Sequence, residues 1–170
     1  MAERGTRLGV DVGQARVGVA SSDPDGLLAT PWRTLTRDEK KDSDIRVLVR
    51  HACETGATVV YVGLPRNLKG HDTASTRMAR DYAVLVADGL AAAGSRAVVR
   101  LVDERLSTVT AHRSLHEAGV GSRQHRAVVD QAAATAILQH ALDMERSLRR
   151  DVGDAVEPRT GMDGSPGQKD

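Results

Sequence analysis

The sequence predicts an α/β fold, a mixed five-stranded sheet with helices on both faces. Two patterns carry that expectation. Residues 6–36 hold three short apolar runs joined by Gly- and Pro-containing turns, the pattern of an antiparallel meander. Residues 41–147 then alternate apolar runs of strand length with longer segments of helical period, the pattern of parallel crossovers.

Residues 6–12 (TRLGVDV) and 16–22 (RVGVASS) form the first hairpin around Gly13-Gln14-Ala15, where Gly13 supplies a positive φ if the turn needs one. A third strand follows the turn Asp23-Pro24-Asp25-Gly26 and runs from about Leu28 to Thr36. A helix over 41–55 carries Ile45, Leu48, Val49 and Ala52 on one stripe and ends at Gly56, a good C-cap. TVVYVGL (58–64) is apolar without alternation and β-branched, as in a strand covered on both faces. Asp72 is a suitable N-cap for a helix over 73–93 that ends at Gly94, and RAVVRLV (96–102) repeats the buried-strand pattern. A helix over 108–118 capped by Ser107, a link at Gly119–Arg123, and a helix over 126–147 follow. The last helix has Val129, Ala132, Ala133, Ala136, Ile137 and His140 along one side. From Asp151 onward Gly, Pro and charge dominate, so residues 1–150 are expected to form one domain and 151–170 a flexible acidic tail. Three meandering strands followed by strand and helix alternation is the ribonuclease H-like order.

Composition narrows the function. At 170 residues and 40% apolar content there is material for one domain with a real core, filled by Val, Leu and Ala because there is no Phe, one Trp and two Tyr. Aromatic stacking is therefore a poor basis for recognising bases. The single cysteine, Cys53, excludes an internal disulfide and, lying beside the apolar stripe of its helix, reads as a partly buried small hydrophobe. No apolar run has membrane-spanning length and no signal peptide is evident, so a cytoplasmic protein is expected. The formal net charge of +1 hides an acidic tail, with five acids against two bases beyond residue 150, and hence a mildly basic body. Of the whole chain's 24 basic residues 20 are Arg, whose planar fork suits phosphate.

Three acids stand in settings where acids are costly or purposeful. Asp11 sits inside an apolar strand between Gly9 and Gly13, Glu104 ends a buried strand beside Asp103, and Asp130 lies in the first turns of an Ala-rich helix. Successive side chains at a strand end point to opposite faces, so at most one of Asp103 and Glu104 enters a shared site. Three carboxylates brought together resist ionisation unless a cation neutralises them, and hard oxygen ligands select Mg2+ or Mn2+. Phosphate contacts are expected from Arg16, from Arg66, Asn67 and Lys69 in the loop after the central strand, and from Arg105, Arg123, His125 and Arg126 around the last two motifs. Asp-x-Gly-x-x-x-x-Gly is also the phosphate hairpin of actin-like ATPases, so that motif alone does not separate a nuclease from an ATPase.

Taken together, Val-Asp-Val-Gly-x-x-Arg-Val-Gly-Val-Ala-x-Ser-Asp at 10–23, Val-Gly-Leu-Pro at 62–65, Asp-Glu-Arg-Leu-Ser-Thr at 103–108 and Val-Asp-x-x-Ala-Ala-x-x-Ile-Leu-Gln at 129–139 resemble the YqgF family, also called RuvX. The resemblance covers residues 6–146. It implies a ribonuclease H-like fold related to RuvC resolvases, a role as nuclease in 5′-end maturation of pre-16S ribosomal RNA, and Asp11, Glu104 and Asp130 as the catalytic and metal-binding acids. The partner implied is nucleic acid, either precursor rRNA or branched DNA, and the branched-DNA alternative, a Holliday junction resolvase, requires a homodimer. An actin-like ATPase is disfavoured because that architecture needs two such lobes, and a non-catalytic nucleic-acid-binding regulator because it has no use for three aligned acids.

Overall fold

The apolar runs become strands in the computed structural model, which describes residues 4–104 and 123–159. In chain order the elements are β1 (Arg7–Val12), β2 (Arg16–Ser22), β3 (Ala29–Thr36), α1 (Ser43–Thr55), β4 (Val59–Leu64), α2 (Ala74–Ala92), β5 (Val98–Asp103), α3 (Arg123–Leu148) and β6 (Asp154–Val156). The strand order is β3-β2-β1-β4-β5-β6, with β1, β4 and β5 parallel and the rest antiparallel. This is a ribonuclease H-like sheet with one strand more than the five expected. The extra strand also corrects the boundary at residue 150. Val99 pairs with Val156 and Leu101 with Asp154, Val152 is buried, and Arg159 forks onto Asp88 of α2 at 2.8 and 3.0 Å. Three residues are too short to show a strand period, so Val152 and Val156 were hidden among charge and glycine.

Turn chemistry explains the meander. Asp23 accepts hydrogen bonds from the amides of Leu27 at 2.9 Å and Leu28 at 2.8 Å, and Gly26 at φ 67 closes the turn between β2 and β3. Gly13 is not among the glycines of positive φ; it is needed because a Cβ there would stand 2.6 Å from the Arg16 carbonyl oxygen. At the end of α1, Gly56 takes the left-handed conformation at φ 64. The N-cap of α2 is Thr73, in a reciprocal capping box with Thr76, and not Asp72, whose carboxylate is held by Arg66 and Arg80.

Period-two alternation divides the core between the two faces of the sheet. Leu8, Val10 and Val12 of β1, with Val60 and Val62 of β4, pack under α1 and α2. On the opposite face Val59, Tyr61 and Val102 pack under Ala134, Leu138, Ala141 and Leu142 of α3. The buried stripe of α3 is thus turned from the one read in the sequence: Ala132 is exposed, whereas Ala134 and Leu138 are fully buried. The reason is Gly9, where a Cβ would stand 2.6 Å from the Leu138 Cβ and 2.8 Å from the Ala134 carbonyl oxygen, so the helix settles on bare backbone. Farther along α3 the buried Glu145 accepts a hydrogen bond from the Tyr61 hydroxyl and pairs with the Arg7 guanidinium at 3.4 Å. Burial, reinforced by Glu145, pushes the Tyr61 phenol well up from its ordinary value. Cys53, one position past the apolar stripe of α1, is exposed rather than partly buried. Among the described residues no helix is long and apolar enough to cross a membrane. The helix expected over 108–118 and the link at 119–122 lie outside the described residues.

Candidate active site

Asp11 occupies the α3 face of β1 because its neighbours Val10 and Val12 take the other face. It is 5% exposed. Two glycines flank it. Gly18 of β2 is its antiparallel partner, and Gly63 of β4 follows Val62, the parallel partner of Val10, so it lies beside Asp11 on the other side.

The other two acids fill the space these glycines leave. A Cβ on Gly18 would stand 2.1 Å from the Asp130 carbonyl oxygen and 3.1 Å from the Asp130 Cβ. A Cβ on Gly63 would stand 2.6 Å from Glu104 Oε1 and 2.6 Å from Ile137 Cδ1. Asp130 therefore lies over β2 and Glu104 over β4, on either side of Asp11 on β1. Glu104 is 4% exposed, and Asp130 is half-buried. Gly18 and Gly63 were absent from the sequence-based site. Their signal is a glycine inside an otherwise apolar strand, which marks close approach of another backbone or a ligand.

The neighbouring acid takes the other direction. Asp103, paired with Leu64 across the β4–β5 ladder, approaches Arg66 at 3.6 Å, and Arg66 also pairs with Asp72 at 3.4 Å. Arg66 is thus held by two acids. The Asn67 carboxamide oxygen accepts from the amides of Lys69 at 3.0 Å and His71 at 2.9 Å, tying the loop to itself, so that oxygen serves the loop's shape. Lys69 is exposed, and Leu68 beside it is 95% exposed. Arg126 is exposed at the end of the first turn of α3, whereas the side chains of Arg123 and His125, and Arg105 altogether, lie outside the described residues.

Arg16 behaves differently. Its Nε meets Asp130 Oδ2 at 2.8 Å, joining β2 to α3 across 114 positions of sequence. Two residues before Gly18 on the same strand, it shares the face of the three acids.

The donor chemistry fits a hard divalent cation. Asp11 and Glu104 offer buried carboxylate oxygens on one face of the sheet, beside the bare backbone of Gly63, where an ion can approach. Among the described residues no three His, Cys, Asp or Glu side chains gather as a ready ligand group, and the Asp130 carboxylate is engaged by Arg16.

Known proteins resemble the chain in sequence and in fold. A family model described as RuvX, Holliday junction resolvase, matches residues 5–144. The chain is 52% identical over 143 residues to a Mycobacteroides abscessus protein named "Putative pre-16S rRNA nuclease", covering 84% of each chain. It is 48% identical over 159 residues to a protein of the same name from Clavibacter sepedonicus, covering 94% of this chain and 95% of that one. Among solved structures, T. thermophilus RuvC in complex with a Holliday junction substrate superposes with a TM-score of 0.51 at 14% identity, over 89% of this chain and 99% of that one, a likeness of fold. By sequence match over most of its length, the chain belongs to the RuvX family.

Proposed function

We propose that the chain is a divalent-metal-dependent endonuclease that hydrolyses phosphodiester bonds in structured nucleic acid, with precursor 16S ribosomal RNA as its substrate in the cytoplasm. The observation that carries this reading is the row of Asp130, Asp11 and Glu104 over Gly18 and Gly63. Buried acids flanked by bare backbone suit a site that receives a charged ligand. The names carried by the relatives support the choice of RNA.

Asp11 and Glu104 would hold Mg2+ or Mn2+, with Asp130 completing the set once its carboxylate turns from Arg16. When bound, the cation supplies Lewis acidity and a water of lowered pKa. The chain's own contribution is placement. Asp11 is fixed by a central strand, Glu104 by its seat over Gly63, and Asp130 by a helix resting on Gly9 and Gly18, so the donors need little reorganisation. Lys69, Arg126 and Arg16 present positive charge to the nucleic-acid backbone.

A second reading, resolution of Holliday junctions by a two-fold dimer, is favoured by the description of the family model. Incubating the purified protein with labelled precursor rRNA and with a labelled four-way junction, each with Mg2+ or Mn2+, separates the two. Cleavage of the precursor is expected. Asp11→Asn, Glu104→Gln and Asp130→Asn are each expected to lower the rate at least about 100-fold, since each removes a charge from the metal site. Asp103→Asn, which faces Arg66, keeps most of the activity. Wild-type rates in any of the first three variants overturn that residue's role, and cleavage of the junction alone moves the substrate to DNA.

A further inference from the structure

We infer that Arg16 is a positioning residue that exchanges with the divalent cation, neutralising Asp130 until the ion arrives and then turning to the nucleic-acid phosphates. The inference rests on the metal-dependent reading above and goes beyond it by making Arg16 part of how the site is armed.

Three observations support it. The Arg16 guanidinium lies on the Asp130 carboxylate at 2.8 Å, and both side chains are partly accessible, at 29% and 21%. A pair so exposed is held loosely enough to be displaced by a stronger cation. Next, the Asp130 backbone is fixed by its seat over Gly18, so its carboxylate changes partner by side-chain rotation without moving the helix. Finally, Arg16 stands at the mouth of the β1–β2 hairpin, where its carbonyl oxygen accepts from the Gly13 amide at 2.8 Å. Its backbone is anchored while its side chain carries the only charge on that strand's α3 face, and a freed guanidinium there is a ready bidentate phosphate contact.

The exchange couples two ligands. Removing Asp130 from Arg16 costs the cation part of its binding free energy, and binding the cation supplies one more phosphate contact to the substrate. Arginine suits the role because it stays protonated throughout, so the switch is one of partner and not of charge.

Mn2+ affinity, read by calorimetry on the full chain without nucleic acid, tests the first half. Arg16→Ala is expected to bind Mn2+ about two- to fivefold more tightly than wild type, the scale of an exposed ion pair removed as competitor. In an Asp130→Asn background the same substitution is expected to change nothing. A gain that persists in that background means long-range charge repulsion, and no gain or a loss means Arg16 supports the site; each overturns the exchange. Asp11→Asn is expected to weaken Mn2+ in every background, and if it does not, the metal reading itself falls and takes this one with it. Binding of a defined RNA duplex with Ca2+ as a non-catalytic ion tests the second half. The slope of log affinity against log salt is expected to be steeper in wild type than in Arg16→Ala by roughly 0.7–0.9. That difference is expected only with Ca2+ present, and equal slopes in Ca2+ refute the phosphate contact.

Discussion

Gly18→Ala isolates the contact that fixes Asp130. The new Cβ would stand 2.1 Å from the Asp130 carbonyl oxygen and 2.5 Å from its carbonyl carbon, and both are backbone atoms that cannot swing aside. Reaching an ordinary separation of about 3.5 Å requires the first turns of α3 to lift by roughly 1.4 Å. Overpacking of this kind costs about 1–3 kcal/mol, or a Tm loss of about 2–4 °C per kcal/mol in a domain of this size. A displacement of about 1 Å at a catalytic group lowers a rate roughly 100-fold, so the loss of nuclease activity is expected to exceed anything explained by unfolding. Gly56→Ala is the matched control. Nothing lies within 4 Å of a Cβ there, and its φ of 64 makes the substitution strained for backbone reasons alone. It should cost about 1 kcal/mol with the rate unchanged. Thermal melts and single-turnover cleavage of the same preparations decide the matter. A folded Gly18→Ala protein with wild-type turnover, or a Gly56→Ala protein that loses as much, refutes the idea that the approach of α3 to bare backbone sets the site.

Glu145→Gln should keep a partner for the Tyr61 hydroxyl but remove the negative charge that the buried Arg7 guanidinium faces at 3.4 Å, a loss of about 3–5 kcal/mol by urea denaturation; a loss under about 1 kcal/mol would show that the pair is already solvated. Removing residues 151–170 strips away Val152, β6 and the Arg159–Asp88 fork, and is expected to cost about 2–3 kcal/mol, whereas removing 160–170 alone should leave stability within about 0.5 kcal/mol. Equal stability of the two truncations would mean that β6 contributes nothing. Hydrogen bonds from the amides of Leu28 and then Leu27 hold Asp23 below its ordinary carboxylate range of about 3.8, with lesser contributions from other amides. A depressed folded value contributes stability above the unfolded pKa that is lost as pH falls through the folded one. Amide exchange at Leu27 and Leu28 should therefore stay slow down to about pH 4 and accelerate below it relative to core amides, and a profile parallel to the core amides contradicts the assignment.

What the sequence disclosed depended on whether the signal was local. VVYVGL announced a strand covered on both faces, and Gly56 announced the end of α1, because burial and left-handed backbone each leave a mark within a few residues. Asp11 was legible since an acid in an apolar strand contradicts its surroundings. The cap of α2 was misplaced by one residue because Asp72 and Thr73 are both good caps, and the choice was made by Arg66 and Arg80 from elsewhere in the fold. Arg16 on Asp130 joins positions 114 apart, and no period or propensity encodes that. The glycines at 18 and 63 were visible as letters but not as parts of the site, since their meaning lies in what rests on them.

The short strand β6 also determines how copies of this chain can meet. Without it, β5 would present a row of unpaired amides and carbonyls, which invites a second molecule to extend the sheet. Three residues paired to Val99, Arg100 and Leu101 close that border, and being so short they offer an arriving strand little to grip. At the far border β3 carries Pro31, which has no amide to donate, and its ladder with β2 is interrupted by a register shift between Val19 and Ala20 of β2. Both rims of the sheet are thus blunted against edge-to-edge aggregation, and a chain shortened before Val152 should be recognised first by its tendency to precipitate.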